Sequence, residues 1–302
     1  MTWLTPIEIG LVQGLLMAGA VVGFAVAFRL FGFPDLTIEA SVPLAAGTYA
    51  VLTQLGIPAA VGVITAVTVG SACGAMTAWI HTRFGVNKFL AGILVVSVGY
   101  TLTLRLMDGP NVSLLQSGSV LRTTEVAGLS LPERFAPLLL LLLLWSLITG
   151  ALLRLLGTRY GIGLRAAGSN PGFAQAIGLS PRIAAVIGLA LCNSMAALSG
   201  VLQADYQGFA DVGSGQGVLV LALAAMALGE AVVPRRSISY FGFVVIAAVA
   251  GSLVYHVILA IAVRAGLAPT DLRLATALLV LMVVTGRWAR DNEGLMQPGD
   301  LR

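Results

Sequence analysis

The sequence predicts an all-α fold: a polytopic integral membrane helix bundle. Of its 302 residues, 58% are hydrophobic and only 10% charged. The mean hydropathy is +0.96, and apolar runs of membrane-crossing length recur along the whole chain. Soluble domains carry about 25% charged and about 45–50% apolar residues, so a water-soluble globule of this size could not hide so much apolar surface. Crossing about 30 Å of hydrocarbon takes roughly 20 helical residues, which sets the length against which each run is judged.

Taken in order, the runs 9–31, 59–81, 89–107, 136–156, 183–203, 216–233, 239–263 and 270–287 are long enough to span. A shorter piece, 40–55, reaches about 24 Å at 1.5 Å per residue. It follows Pro34, so a discontinuous helix is expected there, giving about nine spans in all. Small residues recur at four-residue spacing in Gly10/Gly14, Gly19/Gly23 and Gly70/Gly74. That spacing lets helix backbones approach closely where no hydrophobic drive exists between helices. Cys73 and Cys192 fall inside apolar runs, as small buried thiols ordinarily do.

Charge sets the orientation. The net charge of +4 is spread between the runs and never forms a block, which reads as topology signals and argues against nucleic acid. Placing 82–88, 157–182, 234–238 and the C-terminal tail in the cytoplasm collects most of the basic residues there, with Arg29 and Arg154 flanking the same side. The N-terminus then lies outside and the C-terminus inside. The expected organisation is one transmembrane domain, 1–288, and a short cytoplasmic tail, 289–302. The first basic residue is Arg29, so the charged leader of a cleavable signal peptide is not expected.

Three stretches carry chemistry. The first, "FPDLTIEAS", places Asp35, Thr37, Glu39 and Ser41 beside Pro34. Its acids are tolerable within a bundle only if they face water or accept hydrogen bonds. It reads either as a break bordering a path near the inner mouth or as a cytoplasmic turn. The second, 157–182, is too polar and Gly-rich to span. Ser169 or Asn170 can cap a helix, Pro171 suits its first turn and Gly178 can end it. A two-turn surface helix over 171–177 follows, with Gly172, Ala174 and Ala176 on its exposed face. It serves either as a docking helix for a partner groove or as an interfacial turn. The third comprises the outer loops 108–135 and 203–217, whose Glu125, Glu133, Asp205 and Asp211 either meet a soluble partner or belong to ordinary connectors. His256 stands in an apolar run without acidic neighbours at i±4. Glu230 ends another, within reach of Arg235 or Arg236. Arg105, near the outer end of its span, can snorkel. No phosphate loop, H-E-x-x-H or paired histidine ligands occur, so no ATP hydrolysis by this chain, no catalytic residue, no metal and no cofactor are expected.

The stretch "LRAAGSNPGFAQAIGLSP" resembles the cytoplasmic coupling segment of ATP-binding-cassette importer permeases of the branched-chain amino acid and ribose type. Arg165, Ala166, Gly168, Asn170, Ala174, Gly178 and Leu179 match its pattern, with Pro171 inside it. "ALSGVLQADYQGFADVGSGQG" and "LALAAMALGEAV" resemble the same family's next span and loop. "FPDLTIEAS" resembles its segment after the opening span, most closely in the branch of tryptophan-uptake-like or uncharacterised systems. The resemblance covers nearly the whole chain, although relatives of the ribose type have an extra helix before the first span. It implies an inverted-repeat permease in a bacterial inner membrane, importing an amino acid or related small polar metabolite. The implied partners are a second permease copy, cytoplasmic cassette ATPases engaging 157–182, a periplasmic or lipid-anchored binding protein, and membrane lipid. An ion-coupled carrier using His256 and the Asp35–Glu39 pair is the alternative, and a structural or receptor-like role a third.

Overall fold

The computed structural model describes residues 4–115, 121, 125–126, 129–130, 136–235, 239–268, 271–272, 274–278, 281–282 and 285. Ten helices account for most of them: α1 (Leu4–Arg29), α2 (Ile38–Gln54), α3 (Ala59–Phe84), α4 (Lys88–Met107), α5 (Ala136–Gly157), α6 (Arg159–Ser169), α7 (Pro171–Ala176), α8 (Pro181–Gln207), α9 (Val218–Val232) and α10 (Tyr240–Arg264). Two small antiparallel pairs complete the picture. β1 (Asn111–Ser113) pairs with β4 (Phe209–Asp211), and β2 (Glu125–Val126) with β3 (Leu129–Ser130). Among the described residues, seven stretches are long and apolar enough to cross a membrane. The expected last span, 270–287, and the tail 289–302 fall largely or wholly outside the described residues.

Burial separates a central layer from a peripheral one. In the most apolar window of α1, 83% of residues are buried inside the bundle, and in that of α8 56%, against 28% in α3, α4 and α5. α1 packs along both α10 and α8, and α3 along the opposite side of α8. α5 leaves Leu139, Leu142, Leu143 and Leu147 outward, a surface suited to lipid. The expected glycine pairs seat three of these contacts. A Cβ at Gly10 or Gly14 would stand 2.6 or 2.8 Å from the α10 backbone. At Gly19 and Gly23 it would meet α8 carbonyls at 2.3 Å, and at Gly74 the Leu189 carbonyl at 2.3 Å.

The inner end of the bundle, by the positive-inside rule, carries Arg29, Arg83, Lys88, Arg159, Arg182 and Arg235. There α1 stops and the chain turns back without helix over residues 30–37 before α2 begins. α2 is 17 residues long, about 25 Å, so the expected interruption is present. A second short helix was not expected: α9 has only 15 residues. It follows a one-turn 3-10 helix, Val212–Gly215, that packs on α2. The sequence run 216–233 concealed this, because the glycines of "DVGSGQG" break the helix without adding charge. The 157–182 segment also departs from expectation. It is not a loop with one short helix but two helices, α6 and α7, joined at Asn170.

Candidate functional site

The break between α1 and α2 is built around a buried polar cluster. Asp35, Thr37, Ser41, Thr77 and Asn193 are all 0% exposed. Asp35 Oδ1 accepts from the Thr37 backbone N–H at 2.9 Å, supplying the start of α2 with the cap that no Thr37 side-chain bond provides. Asn193 Nδ2 donates to Asp35 Oδ2 at 2.5 Å. Ser41 donates to Asn193 Oδ1 at 2.6 Å, with the Gly70 carbonyl 3.2 Å away. Thr37 and Thr77 share a hydroxyl–hydroxyl bond of 2.6 Å. A buried carboxylate is tolerable when its oxygens are satisfied in this way. Asp35 therefore organises the break, and it does not share a helical face with Glu39, because it precedes the helix. Asn193, an amide at the middle of the expected span 183–203, was not singled out by sequence. The signal was its polarity within a span.

Glu39 behaves differently. It is half-buried in the first turn of α2, and Gly217 N–H donates to its Oε1 at 3.2 Å. Gly217 is the N-cap of α9, so a carboxylate sits at the positive end of a helix. The same residue opens on a cavity of about 390 Å³ lined also by Pro43, Ser97, Tyr100, Val212 and Gln216. About 20 Å of helix separates Gly217 from Glu230 at the inner end, and about 22 Å separates Glu39 from Gln54. Gln54 bonds the outer strand β1 at the Ser113 carbonyl. Glu39 thus lies near mid-depth, not at the inner mouth that the sequence suggested.

At the inner end, the matched coupling residues mostly build the α6–α7 unit. Arg165 donates to the Gly161 and Leu156 carbonyls at 3.3 and 3.2 Å and lies over the Phe241 ring at 4.6 Å, with Ala166 half-buried beside it. Asn170 accepts from Phe173 N–H at 3.0 Å and caps α7, with Pro171 at its first turn. Gly178 has φ +82° where α7 ends. Gly172 and Ala176 are exposed as expected, but Ala174, expected beside them, is buried at 0%. The surface is larger and more apolar, with Phe173 at 54% and Ile177 at 53% exposed. Gly168 faces inward, where a Cβ would lie 2.6 Å from Phe31 Cα. α6 thereby rests on the backbone of the α1–α2 break.

Of the expected outer acids, Asp205 and Asp211 are placed differently. Asp205 is 5% exposed. Its carboxylate accepts from Tyr49 Oη at 2.7 Å and from Leu121 N–H at 2.9 Å, tying the outer loop to α2 and α8. That enclosure departs from the accessible position expected of it, because the Tyr49 ring and the loop cover it. Asp211 is half-buried and accepts from Gly213 N–H at 2.9 Å, opening the 3-10 turn. Glu125 contributes backbone to β2, and Glu133 lies outside the described residues.

The isolated ionisable groups also find partners. Arg29 donates twice to Glu230, both at 2.8 Å, across 201 positions of sequence. Arg235, expected near Glu230, lies over the Tyr240 and Phe243 rings at 5.3 and 5.6 Å. His256 Nδ1 is 2.8 Å from the Ser252 carbonyl, and its ring stands edge-on to Tyr255. No group of three or more metal-ligating side chains occurs among the described residues.

A bundle of crossing helices with an interrupted helix, a cavity at mid-depth bearing one carboxylate and a structured segment at its basic end has the build of a membrane permease. Residues 7–285 match the family described as "Branched-chain amino acid transport system / permease component", and the chain belongs to that family. It is 29% identical over 271 residues to a tyrosine transport system permease protein of Clostridioides difficile (strain R20291), covering 89% of this chain and 87% of the relative. It is 28% identical over 272 residues to an uncharacterized protein of Rickettsia prowazekii (strain Madrid E), covering 89% and 93%. No solved structure matches. The chain is an ATP-binding-cassette-type permease of the branched-chain class, a multi-pass protein of the bacterial inner membrane.

Proposed function

We propose that the chain is the transmembrane subunit of a binding-protein-dependent importer for an amino acid or related small polar metabolite. A second permease copy, cytoplasmic cassette ATPases and an external binding protein complete the assembly. Cargo class is supported by the relative named for tyrosine transport. The observation that carries the reading is the α6–α7 unit. It presents Phe173 and Ile177 to the inner side and rests through Gly168 on the break that leads to Asp35 and Glu39. An amphipathic surface of that kind suits a groove on a partner. ATPase closure would push α6 against Phe31 and bias the bundle between two packings.

The test is charge in place of the apolar contact. Phe173→Asp with Ile177→Asp should abolish co-purification of the ATPase and reduce uptake at least tenfold, while the permease still folds and inserts. Uptake that persists in proteoliposomes holding this chain alone would instead establish a self-contained carrier. Nothing in the geometry favours that second reading, since Asp35 and the Nδ1 of His256 are each held by hydrogen bonds.

A further inference from the structure

We infer that Glu39 is the recognition point for a cationic amine on the transported solute, with the mid-depth cavity between α2, α4 and the 3-10 turn as its seat. This rests on the permease reading and adds to it the charge of the cargo. A carboxylate at mid-depth facing hydrocarbon is costly, so one opening on a cavity needs water or a cation. Glu39 has one hydrogen-bond partner among the described residues, the Gly217 N–H, and no basic residue lines the cavity.

That partner holds the carboxylate in place without neutralising it, and one Glu39 oxygen remains for a ligand. The cavity, about 390 Å³, lies within the range of small-molecule pockets, about 300–1,000 Å³. Its lining is mixed. Pro43 and Val212 offer apolar surface, while Ser97, Tyr100 and Gln216 bring hydroxyl and amide groups. A bare divalent cation is commonly held by several carboxylates and carbonyls at once, and Glu39 is the one carboxylate among the described lining residues. An organic ammonium needs one such carboxylate and an apolar or aromatic wall for its body.

The substitution Glu39→Gln separates recognition from structure, because the amide oxygen can still accept from Gly217 while the charge is gone. Binding is read by saturation-transfer NMR on the purified full chain in nanodiscs. The probes are the twenty L-amino acids, followed by the N-acetyl derivative of the best binder. Wild type should bind the free amine at least tenfold more tightly than the N-acetyl form, and E39Q should bind the two within about twofold at unchanged thermal stability. Equal binding of both forms by wild type, an undiminished preference in E39Q, or binding of none of the twenty would overturn the inference. Uptake that survives ATPase inactivation would overturn the importer reading alone, since the NMR comparison does not depend on how transport is powered.

Discussion

Asn193 shows how a single side chain fixes a non-helical turn within a bundle. Its amide donates to Asp35 and accepts from Ser41, so it joins α8 to the break and to α2 in one contact. Asn193→Leu keeps the branched outline of the side chain and leaves Asp35 without that donor in a fully buried site. An unsatisfied buried polar group costs about 1–3 kcal/mol, and more when charged. The expected outcome is a fall in detergent thermal stability larger than that of Ser41→Ala, measured side by side. The acid was legible as a turn residue beside a proline, where Asp bonds its own backbone two positions on. Its burial was not legible. "FPDLTIEAS" gives no hint that Thr77 and Asn193, 40 and 158 positions away from their partners, come to meet it.

At the level of elements, the sequence reading succeeded where periodicity was uninterrupted and faltered where glycine did two jobs. α3, α4, α5, α8 and α10 fall on the expected runs because length and apolarity alone specify them. α6 was read as loop because Gly161, Gly163 and Gly168 lower helix propensity. In the fold these glycines admit close neighbours: Leu156, Leu179 and Phe31 stand within 2.7 Å of where their Cβ atoms would be. Gly168→Val should therefore displace α6 from Phe31 without altering the outward face of α7. An ATPase subunit is expected to remain bound while uptake falls at least tenfold, checked by co-purification and transport in the same preparation. Loss of both together would assign Gly168 to docking instead of transmission.

At the scale of the whole molecule, the described residues form seven apolar spans and the shorter α2, and the Arg29–Glu230 pair ties α1 to α9 at the inner end. Glu230 is 7% exposed and Arg29 34%, so removing the arginine leaves an enclosed carboxylate. Arg29→Ala should destabilise the protein more than the double variant Arg29→Ala/Glu230→Ala, with a coupling of about 1 kcal/mol or more in a double-mutant cycle. A double-variant loss equal to the sum of the two single-variant losses would mean the pair contributes nothing beyond its separate residues. This partnership was not legible in the sequence, because local spacing favoured Arg235.

The eleven residues from Arg29 to Glu39 hold both ends of α9, the guanidinium gripping its last turn through Glu230 and the carboxylate meeting its first N–H at Gly217. A helix fastened at top and bottom to one strip of chain cannot tilt by itself; strip and helix must swing as a single paddle.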